Sequence, residues 1–393
     1  MANSLDDLTE FWKRVVGMRP WEYDHTCVPV PWKSVSLQEG KKRLKFGVIW
    51  EDGVIPPTPA CRHALSKVVD ALKKQGHEVI DLQVISRASD CLNIGYQLLF
   101  ADSGEQLRAP LQNTETHTLP TQHVLGLLKL PKMIKSFLSL ILRSHILSFI
   151  FGLGSKPDPL SAELYSLLHK KTVMEERQLI EERDIYRASW HKKWMEEKVD
   201  FVLTVPYPLP ALRNGGSGRA TLMSCGYAFI FNLLDYTAGV IPVTTVSPTL
   251  DALPADYYSS PTFNQFNAVA KGAYLEYNAE KMKGLPLGIQ IVGRRMEEEK
   301  VLAGMKVVEG ALKVLNTEIS VGRTRIIFAL APPEVIICVR DSLTLYSNYP
   351  PSPAHSPAAI DSYRYWTSGG QGPGQKASKQ EMLGTCAGVN KSD

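Results

Sequence analysis

The chain opens with a helical pattern of apolar positions. Apolar residues recur at intervals of one, three or four residues from Leu5 to Val15, and most positions between them are polar. This spacing predicts an amphipathic α-helix. Ser4 stands where an N-cap belongs, and Asp6 and Asp7 suit the positive end of the helix dipole. A secretory signal peptide would instead place basic residues before an uncharged apolar core, so we interpret this segment as an ordinary amphipathic helix.

Two short apolar runs enclose a second helical pattern. Residues 42–53 and residues 77–85 are rich in β-branched residues and predict two strands. Between them, Pro59 fits the first turn of a helix and Gly76 fits its C-terminal cap. A strand, a helix and a strand in this order form a βαβ unit, which favours a parallel sheet and a right-handed crossover.

A strongly apolar segment runs from Ser136 to Leu153. Its length approaches that of a transmembrane helix, but Arg143 and His145 lie at its centre. Three lysines precede it at helical spacing. We interpret the segment as a buried or interfacial helix of a soluble protein. A contact with a membrane is the alternative, and a true span is the least favoured because a charge inside the bilayer is costly.

Helices and strands alternate in the second half of the chain. Residues 161–198 are charged and periodic and predict a long solvated helix, to which we assign no chemistry. Residues 199–211 predict a strand that is buried on both faces. Residues 227–246 predict an apolar helix that runs into a strand. Residues 285–294 predict a further strand, and residues 297–315 predict a helix with acidic residues at its start.

The pattern changes beyond about residue 318. Residues 325–339 could hold one or two short strands. From Tyr349 onward the chain is rich in Pro, Ser and Gly, a composition that is typical of disorder. We therefore divide the chain into an α/β domain over residues 1–318 and a divergent, mostly disordered tail over residues 319–393.

Composition and charge give no support to several classes of partner. The 393 residues carry a net charge of only +4, which gives no reason to expect nucleic acid or an acidic membrane surface. The six cysteines are scattered and include no CxxC pair. A secreted disulfide scaffold would be shorter and denser in cysteine, so we expect reduced thiols in the cytoplasm.

Two residues could be taken for nucleophiles. Ser217 lies in the segment NGGSG, which superficially resembles a Gly/Ser nucleophile loop. Arg219, however, occupies the position at which a G-x-S-x-G elbow needs glycine. Cys225 precedes an apolar run, and it would need a base and an orienting partner in space to act as a nucleophile. A buried structural cysteine is the commoner case, so neither residue is assigned a catalytic role.

The histidines give no sign of a metal site. His25, His63, His77 and His191 are isolated, and no HExxH or other ligand spacing joins them. His77 begins a predicted strand, where a structural role is favoured. Neither GxxxxGK[ST] nor GxGxxG occurs between a strand and a helix, so no phosphate-binding loop is predicted.

Several segments, taken in order, resemble the amidase-signature family, and in particular its fungal acetamidase-like branch. Their order and spacing match over about the first 315 residues. The segments are MANSLDDLTEFWK, PWEYDHTCVPVPW, LKFGVIWEDGVIPPTPACRHAL, GHEVIDL, FNLLDYTAGVIPVT and PLGIQIVGRRMEEEKVLA.

The resemblance implies a mixed β-sheet flanked by helices on both faces, of which this chain would form an incomplete version. It implies hydrolysis of a carboxylic amide by a Ser–cisSer–Lys triad, with no metal and no organic cofactor. It would place Asp235 and Tyr236 near the substrate cavity, although an N-cap or packing role fits equally well. In the family the triad precedes the helix that resembles residues 1–13. No catalytic, cofactor-binding or metal-binding residue is therefore assigned in this chain.

Three hypotheses follow about function. The first is that the chain is the C-terminal part of an amidase and is catalytically inert as it stands. Alternatively, the sequence is an incomplete gene model of an active fungal amidase, which acts on a small-molecule amide once the missing region is restored. The third hypothesis is a non-catalytic interaction protein. A fold that lacks central strands would expose apolar edges and favour homo- or hetero-oligomers.

Overall fold

The computed structural model describes residues 1–37, 43–83, 88–109, 119–150, 157–218, 222–314 and 327–329. The strands are β1 (Lys45–Val48), β2 (Glu78–Asp81), β3 (Phe201–Thr204), β4 (Ala238–Thr245), β5 (Pro286–Val292) and β6 (Ile327–Ala329). The helices are α1 (Leu5–Gly17), α2 (Pro59–Lys74), α3 (Ala88–Leu99), α4 (Glu105–Arg108), α5 (Leu119–Lys129), α6 (Lys132–Arg143), α7 (His145–Ile150), α8 (Pro159–Leu167), α9 (Val173–Glu197), α10 (Gly226–Leu234), α11 (Pro248–Asp251), α12 (Pro261–Gln265), α13 (Ala268–Leu275) and α14 (Glu298–Val314).

The described strands form one mixed sheet in the order β2-β1-β3-β5-β4-β6. β1 pairs in parallel with β2 and with β3, whereas β5 is antiparallel to β3 and to β4. Since α2 connects the parallel strands β1 and β2, the predicted βαβ unit is confirmed. All four residues of β3 are buried, as predicted for a strand in the middle of a covered sheet.

Helices cover both faces of the sheet. On one face, Gly304 of α14 lies against the ring of Phe201 in β3. On the other face, the Gln290 side-chain amide of β5 donates to the Tyr227 carbonyl oxygen of α10 over 3.2 Å. In the antiparallel pair of β3 and β5, Gln290 lies opposite Thr204, three residues from Phe201, so the two side chains point to opposite faces. The mixed α/β fold implied by the sequence is confirmed.

The first two helices begin and end where the sequence predicts. The Ser4 hydroxyl accepts a hydrogen bond from the Asp7 amide over 3.0 Å and caps α1. Leu5 and Leu8 are buried, and α1 packs against α14. α2 begins at Pro59. Beyond its end, Gly76 has φ +82°, a conformation that glycine adopts without strain.

The long charged run divides into two helices, where the sequence predicted one. α8 ends at Leu167 and α9 begins after Thr172. Thr172 starts a new helix because its hydroxyl accepts from the Glu175 amide while the Glu175 carboxylate accepts from the Thr172 amide, which is a capping box. Along α9, Trp190 is buried and packs on Phe231 of α10 with 6.4 Å between ring centroids.

The apolar segment from Ser136 to Leu153 also differs from the prediction. Its described part is two helices, α6 and α7, which separate at Ser144, where the backbone is extended (φ −104°, ψ 125°). Its apolar side chains are not all buried, since Phe137 and Leu140 are more than half exposed. Residues 151–156 lie outside the described residues. Within the described part of the chain, every helix is too short or too polar to cross a membrane.

The region after α14 is described only at β6, which pairs antiparallel with β4. This strand falls inside the segment for which one or two short strands were predicted. The remainder of the predicted tail, residues 319–393, lies outside the described residues, and the domain boundary at residue 318 remains a prediction.

Candidate functional site

A cleft of about 630 Å³ lies beside the chain that follows β1. One wall is formed by the first turn of α2, and the other by the segment from α11 to α13. Three aromatic rings line it: Tyr257 stacks on Tyr274 with 5.7 Å between centroids, and Phe266 meets Tyr274 at 5.0 Å. Its volume and aromatic lining suit a small apolar molecule. The lining residues are Glu51, Pro56, Pro57, Pro59, Arg62, His63, Leu253, Pro254, Tyr257, Thr262, Phe266 and Tyr274.

An ion pair lies at the rim of this cleft. The Arg62 guanidinium donates to the Glu51 carboxylate over 2.9 Å and also lies 5.6 Å from the ring centroid of Trp50. About half of each charged side chain is exposed. An exposed ion pair contributes little to stability. Because about half of each side chain is exposed, both groups are accessible to a bound molecule.

A histidine and a buried aspartate meet at the same cleft. His63 Nδ1 lies 3.1 Å from Asp251 Oδ1. The other carboxylate oxygen of Asp251 accepts from the Ser247 amide over 2.8 Å, and Asp251 is fully buried. In the tautomer with hydrogen on Nδ1, the His63 ring donates to Asp251 and its Nε2 is an acceptor. Sequence reasoning treated His63 as isolated because its partner lies 188 residues away.

A buried carboxyl group lies next to the cleft at Asp52. One oxygen accepts from the amides of Val54 and Ile55 over 2.8 and 2.9 Å. The other oxygen is buried without a hydrogen-bond partner. Burial raises the pKa of Asp52 from its ordinary value of 3.8 to about 7, because an ionised carboxylate loses its hydration there. Sequence analysis missed this residue, although an acidic residue in the loop after a buried strand was a usable signal.

The two candidate nucleophiles lie outside the cleft lining. Ser217 is exposed in a short turn, Gly216–Gly218. Cys225 directly precedes α10, and its sulfur lies 2.8 Å from the Tyr96 hydroxyl. A nucleophile needs a general base within hydrogen-bond reach, and burial raises the pKa of Tyr96 well above its usual value. Because its pKa is raised, the Tyr96 phenol keeps its own proton and is a poor base for the thiol.

The other histidines have surface or structural positions. His77 Nδ1 accepts from the Leu44 amide over 3.3 Å, and burial lowers the pKa of His77. This contact holds the start of β2 beside β1, as the predicted structural role requires. His25 and His191 are exposed.

Asp235 and Tyr236 act in packing at the junction of α10 and β4. Asp235 follows the last residue of α10 with φ 58°, so it is a C-cap residue and the N-cap role is wrong. Its carboxylate pairs with Arg295 at 2.7 Å. The ring of Tyr236 packs edge-on against Trp194 at 5.6 Å.

Metal-binding groups do not cluster in the part of the chain that the structure describes. No group of three His, Cys, Asp or Glu side chains there could hold an ion. The thiols of Cys27, Cys61 and Cys91, in that part of the chain, form no disulfide bond. Cys338 and Cys386 lie outside the described residues.

A mixed sheet with helices on both faces defines an α/β protein, and the aromatic cleft beyond the carboxyl end of β1 is its candidate small-molecule site. The chain belongs to the amidase family, whose family model, described as Amidase, matches residues 1–302. The resemblance to the amidase family is thereby confirmed, whereas the fungal acetamidase-like branch stays a prediction.

Similar proteins come from animals and from fungi. Fatty-acid amide hydrolase 1 of Sus scrofa is 30% identical over 314 residues, covering 79% of this chain and 50% of the relative. Amidase 1 of Gibberella moniliformis is 27% identical over 315 residues, covering 79% and 52%. Acetamidase of Aspergillus oryzae is 25% identical over 314 residues, covering 77% and 48%. The chain therefore spans about half the length of these relatives.

A solved structure supports the fold. The structure of a fatty acid amide hydrolase matches 79% of this chain and 47% of its own length, with a TM-score of 0.58 and 22% sequence identity. At this identity the likeness concerns the fold alone.

Proposed function

We propose that this protein derives from a fungal acetamidase-like amidase and that the 393-residue chain does not hydrolyse amides by itself. The observation that carries this proposal is the position of its candidate nucleophiles. Ser217 and Cys225 both lie outside the residues that line the cleft. A nucleophile acts only on a bond that its reacting atom can reach.

The second candidate is an active amidase encoded by a longer gene. The relatives, of which this chain spans about half, favour it. In that protein a Ser–cisSer–Lys triad would come from the additional segment and would cleave an amide to an acid and ammonia or an amine. The described cleft would then contribute to binding.

The cleft favours an amide with an apolar or aromatic group. Its rings and prolines offer apolar surface, while Arg62 can donate to a carbonyl oxygen and His63 Nε2 can accept from an amide N–H. The names of the relatives span amides from acetamide to fatty-acid amides.

The test is release of ammonia by the purified chain. Acetamide, benzamide and a long-chain fatty-acid amide are incubated with the chain, with its Ser217→Ala/Cys225→Ala variant, and with a full-length acetamidase as the positive control. We expect neither form of the chain to exceed the uncatalysed rate. Ammonia release at enzymatic rates by the unsubstituted chain would contradict the proposal. Loss of that release in the variant would assign it to one of the two residues.

The second candidate is tested on the longer gene product. If the genomic region upstream of the first codon encodes the triad in frame, the longer protein should hydrolyse at least one of these amides. A longer protein without activity on any amide would refute this candidate.

A further inference from the structure

His63 and Asp251 form a dyad in which only the histidine reaches the cleft. The side chain of His63 lines the cleft and is 32% exposed, whereas that of Asp251 is fully buried. Nδ1 of His63 is directed at Asp251, with 3.1 Å between Nδ1 and Oδ1. Within the described residues, Nε2 of His63 has no hydrogen-bond partner. This nitrogen is therefore available to a molecule that enters the cleft.

Asp251 is held by hydrogen bonds at its side chain and at its backbone. Its Oδ2 accepts from the Ser247 amide over 2.8 Å. Its backbone carbonyl oxygen accepts from the Tyr277 hydroxyl over 2.6 Å. A carboxylate fixed in this way orients the imidazole that it contacts. Donation from Nδ1 to the carboxylate leaves Nε2 as a proton acceptor, which is the arrangement of a general base.

The cleft provides two further features beside this base. The rings of Tyr257, Phe266 and Tyr274 form an apolar wall. Arg62 precedes His63 on α2 and lines the same cleft, with half of its side chain exposed. A guanidinium group stabilises an oxygen on which negative charge develops. A base, an apolar wall and a cation therefore border one volume.

We propose that the His63–Asp251 dyad activates water for the hydrolysis of small aromatic esters in this cleft. Nε2 of His63 takes a proton from a water molecule, and the hydroxide forms a bond to the ester carbonyl carbon. Arg62 donates to the oxyanion of the tetrahedral intermediate. The bond from the carbonyl carbon to the phenolic oxygen then breaks, and its electron pair leaves with the phenolate. The proton on His63 passes to the phenolate, so that water and ester give an acid and a phenol.

This ester reaction is separate from the hydrolysis of amides. A phenolate leaves with its electron pair before it is protonated, whereas an amide nitrogen must gain a proton before its bond to carbon breaks. Ser217 and Cys225 take no part in the ester reaction, since both lie outside the cleft lining. The proposal therefore does not depend on the outcome of the amide test.

The test is release of phenol from phenyl acetate and phenyl benzoate by the purified chain. We expect hydrolysis above the uncatalysed rate, with a lower KM for phenyl benzoate because its second ring adds contact with the aromatic wall. His63→Gln should lower kcat/KM about a hundredfold or more, because it removes the general base. Asp251→Asn should lower kcat about tenfold or more and leave KM unchanged, since Asp251 positions His63 and does not touch the ester.

Two variants serve as matched controls. His191→Ala removes an exposed histidine of α9 and should keep the full rate. Ser217→Ala/Cys225→Ala should also keep it. Circular dichroism shows whether Asp251→Asn is folded, and if it is not, the partly exposed His63 decides the question through His63→Gln.

The proposal is overturned if neither ester is hydrolysed or if His63→Gln retains the full rate. It is also overturned if the rate is lost in Ser217→Ala/Cys225→Ala. In heavy water kcat should fall, because a proton of water is transferred as the hydroxide attacks, and an unchanged kcat would refute the activation of water. Release of ammonia from amides would contradict the proposed function and leave the ester reaction untouched.

Discussion

The buried carboxyl group of Asp52 should make the stability of the protein fall as pH rises. Asp52 is 1% exposed, and only one of its oxygens accepts hydrogen bonds. Its pKa rises from 3.8 to about 7 on folding. Between these values the unfolded chain releases the proton while the folded chain retains it. The free energy of unfolding therefore falls through this window, and the stability that the neutral acid contributes at low pH is lost by about pH 7.

The size of the effect follows from the shift in pKa. A shift of about three units at about 1.4 kcal/mol each corresponds to roughly 4 kcal/mol over the whole window. Between about pH 5 and about pH 8, we expect roughly 2 to 3 kcal/mol of this. Asp52→Asn carries no titrating proton at this position. The unfolding free energy of Asp52→Asn minus that of the unsubstituted protein should rise by this amount across the range.

The assay is urea unfolding followed by tryptophan fluorescence at several pH values. The quantity compared is the difference in unfolding free energy between Asp52→Asn and the unsubstituted protein at each pH. Both proteins contain the same other titrating groups, so this difference cancels their contribution and any pH-independent effect of the amide. Asp70→Asn, which removes an exposed carboxylate of α2, is the matched control. If Asp52→Asn and the unsubstituted protein show parallel pH dependence, the carboxyl group is already ionised at pH 5, and the reasoning from its burial is refuted.

Two further predictions concern packing and capping. A Cβ at Gly304 would lie 2.6 Å from the ring of Phe201, whereas a Cβ at Gly310 of the same helix meets nothing within 4 Å. Gly304→Ala should therefore lower the unfolding free energy by about 1–3 kcal/mol. Gly310→Ala should raise it by about 0.5–1 kcal/mol. Equal effects of the two substitutions in urea unfolding would contradict the packing argument. Ser4→Ala removes the cap of α1 and should speed amide hydrogen exchange within that helix about fivefold. Ser4→Gly should change the exchange rate little. The same change in exchange rate in both variants would argue against the hydroxyl contact.

Local signals in the sequence predicted the elements well where they agreed with tertiary packing. Ser4 and Pro59 marked true helix starts, and the continuous apolar run around Phe201 marked the buried strand. The break between α8 and α9 was missed because the whole charged run was assigned to one helix, although Thr172 and Glu175 stand at the spacing of a capping box.

The candidate site could not be predicted from sequence in the same way. His63 and Asp251 meet only because α2 and α11 pack together across 188 residues. The orientation of α6 is decided by where Lys135 finds carbonyl oxygens, which periodicity does not reveal. Periodicity locates an apolar stripe on a helix but does not say whether the protein or the surroundings cover it.

The pairing of β1 with β3 has a consequence for how the sequence of this protein can evolve. β2 ends at Asp81 and β3 begins at Phe201, so the helices α3 to α9 form an insertion between two strands that flank β1. Doubling the length of such an insertion adds only about 0.6 kcal/mol of loop-closure entropy. Changes in the length of residues 82–200 therefore cost little loop-closure entropy, provided that α3 and α9 keep their packing on α10. Helices α6 and α7 belong to this insertion, whereas every residue that lines the cleft lies outside it, so the insertion can diverge without any change in the cleft lining.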